Sequence, residues 1–216
     1  MKSWGRVNYP INIKVVPTMT TAIDYYFTSL SPYTYLGHNT FISLANKYHL
    51  GINYKPIKLS KLFAVLGVLP VKQRPQARQD YRLIELARWA KKRQLPLSLH
   101  PVFFPVDPSL ADKCTIVLQQ AGQEVSEFVG NVLAACWAAD QNIADEAVIR
   151  QILTSVNIDA DSVLQQALLV DIDAIYEANT LDAIEKGLLG VPAYVYEKEQ
   201  FWGQDRLDLL DDKLSE

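Results

Sequence analysis

Four short stretches rich in aromatic and β-branched residues interrupt a chain whose apolar positions otherwise recur at helical spacing. The first, Ala22 to Thr28, predicts a buried strand. Ser29-Leu30-Ser31-Pro32 breaks it, with Ser31 suited to an N-cap and Pro32 to a first helical turn. Tyr35, Leu36, Phe41, Ile42, Leu44 and Ala45 then follow at intervals of three and four, predicting a helix up to Tyr48. His49-Leu50-Gly51 closes that helix, and Ile52 to Ile57 predicts a second strand, so that the pair forms a strand, helix, strand unit with a right-handed crossover. Residues Ser60 to Gln73 read as a loop.

Helical spacing returns at Gln76 to Gln94 through Tyr81, Leu83, Ile84, Leu86, Ala87, Trp89 and Ala90, and stops at Leu95-Pro96. Further helices are predicted at Ser109–Ala121, Val125–Ala139, Glu146–Leu153, Asp161–Leu169 and Asp171–Leu189. Ala193 to Tyr196 predicts a strand, Lys198-Glu199-Gln200 a turn, Phe201-Trp202 a short pairing strand, and Gln204 to Lys213 a terminal helix. Periodicity alone therefore predicts an α/β protein with a helical subdomain between its second and third strands.

Composition narrows the partners. The chain has 216 residues, of which 49% are hydrophobic and 21% charged, enough to bury a sizeable core. Its net charge of -3 is spread without one-sign blocks, which argues against nucleic acid and anionic membrane and leaves a small molecule or another protein. No apolar run reaches the length of about 18 residues needed to span a bilayer. Asn8, Pro10, Asn12 and Pro17 interrupt the first twenty residues, so no signal peptide is expected; residues 1–20 read as a disordered extension. Cys114 and Cys136 match neither a CxxC pair nor a zinc site, so no metal is expected, and both read as buried thiols of a cytoplasmic protein.

Three constellations carry candidate chemistry. At Ser31, orphan amides and the positive end of a helix dipole would converge on a hydroxyl, an arrangement that can stabilise a thiolate or simply cap the helix. Gly190-Val191-Pro192-Ala193 enters a strand with proline at its start. In Phe201-Trp202-Gly203-Gln204-Asp205-Arg206-Leu207-Asp208, Asp205 either complements a helix dipole or receives an ammonium group.

Together these pieces, with Ser-Pro-Tyr-x-Tyr-Leu at 31–36, give the chain from about residue 22 to residue 214 a resemblance to the 2-hydroxychromene-2-carboxylate isomerase family, allied to kappa-class glutathione transferases and the Dsb oxidoreductases. The resemblance implies a thioredoxin-like core, residues 21–74 and 187–216, interrupted by a helical insertion domain at 75–186. It implies glutathione as cofactor, Ser31 as the residue activating its thiol, and a cis bond before Pro192 that lets the Val191 backbone pair with the cysteinyl part. Gln204 and Asp205 would hold the γ-glutamyl end and Lys72 the glycyl carboxylate. A homodimer is also implied. The chain departs from the family at Thr28, where an Asp is usual, at Ser29, where an aromatic is usual, and at Ala193, where Thr or Ser is usual.

Candidates for the substrate side are Tyr33, Arg74, Arg78 and His100. Arg74, Arg78 and Arg82 recur every four residues and would share a helical face, either receiving a substrate carboxylate or facing water. His100 reads either as an acid or base at the mouth of the site or as a structural residue. Three functions stay open: a glutathione-dependent isomerase of an aromatic-degradation intermediate, a transferase or reductase that consumes glutathione, and a non-catalytic binding protein.

Overall fold

The structure, a computed structural model, describes residues 22–216. The expected extension at 1–20 lies outside the described residues. Strand β1 (Ala22–Phe27), helix α1 (Pro32–Lys47) and strand β2 (Gly51–Pro56) form the predicted unit, and β1 pairs with β2 in parallel. Strand β3 (Ala193–Tyr196) lies antiparallel to β1, and β4 (Glu199–Trp202) antiparallel to β3, giving a four-stranded sheet in the order β2-β1-β3-β4. The architecture is α/β with a thioredoxin-like core and a helical insertion, as the resemblance implies.

Between β2 and β3 run α2 (Leu59–Leu66), α3 (Gln76–Arg93), α4 (Ser109–Gln120), α5 (Ser126–Trp137), α6 (Glu146–Ser155), α7 (Ala160–Ala167) and α8 (Val170–Glu185); α9 (Leu207–Leu214) ends the chain. Helix α2 corrects the sequence reading, which had a loop there. The hairpin turn is also shifted: Glu197 and Lys198 hold positive φ of 47° and 76°, and Glu199 and Gln200 belong to β4. Two residues of positive φ suit the twist of a tight hairpin. At the C-terminal end, Gln204–Arg206 form a single 3-10 turn and the α-helix begins at Leu207.

Strand β1 distributes its side chains by the alternation of a pleated strand. Ile23, Tyr25 and Phe27 enter the larger core with Phe41, Tyr54, Leu86, Val117, Phe128 and Trp137; Tyr26 points to the other side, among Ile57, Leu62, Ala183, Leu188 and Val195. The larger core thus runs without a break from the sheet into the helical segment. Helix α4 also shields the sheet edge. Gln119 accepts from the Tyr54 N–H at 2.6 Å and donates to the Tyr54 carbonyl at 3.2 Å, filling backbone valences that an edge strand would leave open.

Candidate active site

The end of β1 turns into α1 over Thr28–Ser31. Ser31 is the N-cap: its backbone is extended, with φ -88° and ψ 122°, and its Oγ accepts from the Thr34 N–H at 3.2 Å. Pro32 stands in the first turn, where its missing N–H costs no helical bond. Ser31 is 5% exposed, and among the described residues its hydroxyl donates to no acceptor. A donor at a helix N-terminus, beside amides of positive potential, is suited to an anionic atom.

Ser31 opens onto a cavity of about 1250 Å³. It is lined by Thr28, Ser31, Pro32, Tyr33 and Val191; α2 and the following turn contribute Phe63, Lys72 and Arg74. Arg82 and Leu83 of α3 line it too, as do the residues from Leu99 to Ser109, His100 among them. Of the residues singled out from sequence, the cavity brings together Ser31, Tyr33, Lys72, Arg74, His100 and Val191. The bond between Val191 and Pro192 is cis.

Four others, Pro192 among them, are not part of that lining. Arg78 is exposed on α3 and off the cavity, although Arg74 and Arg82, four residues to either side, line it. Gln204 is buried, with its Oε1 taken by Arg93 Nε at 3.3 Å and Nη2 at 3.2 Å; Arg93 Nη2 also donates to the Gln204 carbonyl at 3.0 Å. Asp205 pairs with Arg206. Both Gln204 and Asp205 nonetheless follow directly on the Gly203 N–H, which donates to the Pro192 carbonyl at 2.8 Å and ties this turn to the Val191-Pro192 segment.

Beneath the Ser31 loop sits a residue the sequence reading missed. Asp112 of α4 is fully buried and accepts from the Thr28 hydroxyl at 3.0 Å, the Ser29 N–H at 2.9 Å, the Ser29 hydroxyl at 2.7 Å and the Tyr176 hydroxyl at 2.8 Å. Burial pushes its carboxyl up to about 6, against the pull of those four donors. Higher on the wall, Tyr33 donates to Glu85 at 2.6 Å. Lys58 and Lys61 are neutralised by Glu177, with Asp173 also on Lys58.

Ser31 at the start of the first helix and Val191, which precedes the cis proline at the start of β3, thus border one cavity. Residues 22–215 match the model of the DSBA-like thioredoxin domain. The chain belongs to the DSBA-like thioredoxin family. A relative in Pseudomonas putida, named 2-hydroxychromene-2-carboxylate isomerase, is 30% identical over 194 residues, spanning 88% of this chain and 92% of its own. A solved structure of a 2-hydroxychromene-2-carboxylate isomerase superposes with a TM-score of 0.75 at 25% identity, covering 90% of this chain and 94% of that one. Glutathione S-transferase kappa 1 of Caenorhabditis elegans is 24% identical over 206 residues, 90% of this chain and 91% of its own. These relatives are named as enzymes. Unlike the thiol chemistry that a Dsb name suggests, the α1 N-terminus here carries serine, and the two cysteines lie buried in α4 and α5. Among the described residues no cluster of His, Cys, Asp and Glu is suited to a metal, and no helix is long and apolar enough to cross a membrane.

Proposed function

We propose that this protein is a glutathione-dependent isomerase of the 2-hydroxychromene-2-carboxylate type, working as a homodimer in the cytoplasm. The observation that carries the reading is the Ser31 hydroxyl at the α1 N-terminus, which accepts from Thr34 but donates to no acceptor among the described residues and lines a large cavity with Val191 and Lys72. The names of the relatives agree with it, and the free, buried state of Cys114 and Cys136 agrees with a reducing compartment.

The cavity has room for a tripeptide, and its lining carries Ser31, Lys72 and Val191. Ser31 and the Tyr33 N–H would receive the sulfur of glutathione, the Val191 backbone its cysteinyl amide, Lys72 its glycyl carboxylate, and Asp205 with Gln204, on the adjoining turn outside that lining, its γ-glutamyl end. When bound, glutathione supplies a thiolate nucleophile that adds to a conjugated double bond and leaves again, so that rotation about that bond becomes possible with no net loss of thiol. The task of Ser31 is to hold negative charge on sulfur. A free thiol near pKa 8.5 is mostly protonated at neutral pH, and each unit of lowering stabilises the thiolate by about 1.4 kcal/mol. Thr34, by donating its N–H to Ser31 Oγ, fixes the rotamer in which the hydroxyl proton is free to turn toward the cavity. The segment 75–186 supplies the opposite wall and so sets which acceptor enters.

Calorimetric titration with glutathione, followed by turnover of 2-hydroxychromene-2-carboxylate with total thiol counted before and after, tests the proposal. Heat of binding, isomerised product and an unchanged thiol count are expected. Stoichiometric loss of thiol would assign a transferase instead, and absence of binding heat would assign a non-catalytic protein.

A further inference from the structure

The cavity that Ser31 lines also holds an arginine with no hydrogen-bonded or ion-paired partner among the described residues. Arg82, in the second turn of α3, is half-buried, and its guanidinium lies 5.6 Å over the ring of Phe104. Among the described residues it makes no hydrogen bond and no ion pair. Glu85, one turn along α3, lends Arg82 electrostatic attraction but is hydrogen-bonded to Tyr33, and Asp107 accepts from the Ser109 N–H and hydroxyl, each at 2.9 Å. Arg74 is close enough to add a second positive potential. One of its nitrogens donates to the Leu69 carbonyl at 2.8 Å, and its guanidinium rests 5.7 Å over Phe63. Leu83, Leu99, Pro101, Phe104 and Val106 add apolar lining, with Gln79 and His100 as polar neighbours.

A guanidinium withdrawn from water with no partner is unfavourable, and a bound anion restores what desolvation removes. Its fork is matched in shape by a carboxylate, while Phe104 and the aliphatic side chains around it match a flat apolar body. We infer that Arg82, assisted by Arg74, is the specificity-determining residue for the second substrate, holding the carboxylate that the proposed substrate carries. The inference deepens the proposed function, on which its catalytic meaning rests. It also changes the reading of the arginine repeat: Arg82 faces the cavity, whereas Arg78 does not.

Binding of 2-naphthoate and of its uncharged analogue 2-naphthamide, measured by calorimetry without glutathione, separates this subsite from the glutathione reading. Wild-type protein is expected to favour the carboxylate over the amide. Arg82→Gln should weaken 2-naphthoate by roughly 10- to 100-fold, the loss typical of a charge-assisted pair, leave 2-naphthamide unchanged, and keep the affinity for glutathione. Arg82→Lys should recover only part of the loss because a point charge replaces the fork, and Arg78→Gln should change neither ligand. Equal binding of 2-naphthoate to wild type and Arg82→Gln, or no preference for the carboxylate in the wild type, overturns the assignment. So does a loss of glutathione affinity in Arg82→Gln with 2-naphthoate unaffected, since Arg82 would then serve the tripeptide. If glutathione fails to bind the wild type while the naphthoate results hold, the isomerase reading falls and the anion subsite stands.

Discussion

Asp112 holds Ser29 by both its backbone N–H, at 2.9 Å, and its hydroxyl, at 2.7 Å, so one carboxylate from α4 anchors the loop that leads to Ser31. Thr28 and Tyr176 occupy the other oxygen, at 3.0 Å and 2.8 Å. Where the resemblance implies an acid at position 28, this chain has Thr28, and the acid arrives from another element. The helical segment is thereby coupled directly to the turn that carries the candidate nucleophile-activating group.

The pH dependence of stability follows from that burial. The Asp112 carboxyl titrates at about 6 when folded, above its ordinary value of 3.8. A raised folded value means that the folded state holds the proton more tightly, so the group's contribution is complete below about pH 4 and is lost as pH rises through 6. Between pH 7 and pH 5 the wild type should gain about 1 kcal/mol relative to Asp112→Asn, which does not titrate. Urea unfolding of both proteins at the two pH values measures this; parallel curves would mean that Asp112 is not titrating in this range. Asp112→Ala should cost more, about 3 kcal/mol, because it leaves buried donors unpaired.

Ser31 has two separable duties, and two substitutions part them. Ser31→Ala removes the cap and should lower stability by about 1 kcal/mol, whereas Ser31→Gly costs only a few tenths. Neither retains a hydroxyl, so both should reduce isomerase turnover about 100-fold, the usual effect of deleting one donor to developing negative charge. Turnover that tracks stability, high in the glycine variant and low in the alanine variant, would reduce Ser31 to a cap.

How far these features were legible differs by element. The β1-α1 turn announces itself because Ser31-Pro32 combines an N-cap and a first-turn proline before a clean helical repeat. Helix α2 does not: it is eight residues long, its N-cap Lys58 makes no side-chain cap bond, and Leu59, Leu62, Phe63, Ala64, Val65 and Leu66 leave almost no polar face to define a period. Its helical state is set by packing against α8, which lies more than a hundred residues away in sequence. Asp112 was invisible for a related reason, since an acid in the first turn of a helix ordinarily just complements the dipole. The available signal was the loss of the acid at position 28, which leaves Thr28 and Ser29 as donors in search of an acceptor. Gln204 reads from sequence as a ligand group, but in the fold Arg93 competes for it.

The two thiols bear on the contrast with disulfide chemistry. Burial pushes both Cys114 and Cys136 up to about 12, far from the thiolate form that reacts at neutral pH. With Ellman's reagent the native protein should react only as fast as it opens, and both thiols should be released promptly in denaturant. Insulin reduction without added glutathione should be absent. Rapid labelling of the native protein, or insulin reduction by the protein alone, would reinstate a protein thiol as the reactive group.

Gly37 marks where α1 touches the turn after β4. A Cβ placed there would lie 2.6 Å from Gln204 Cβ, 3.0 Å from the Tyr194 hydroxyl and 3.3 Å from Gln204 Cα. On propensity alone Gly37→Ala should stabilise α1 by about 1 kcal/mol. The clash opposes this, because Gln204 Cβ is fixed to the backbone and the turn is pinned by Arg93 and by the Gly203 to Pro192 hydrogen bond. Overpacking of this kind costs about 1–3 kcal/mol, so a net loss in stability is expected. If Gln204 and Asp205 hold the γ-glutamyl end, the same shift should weaken glutathione while leaving 2-naphthoate binding at Arg82 intact, since Gln204 and Asp205 do not line that cavity. Calorimetry of both ligands on the alanine variant decides between a local displacement at this turn, which affects one ligand, and a general loosening of the fold, which affects both.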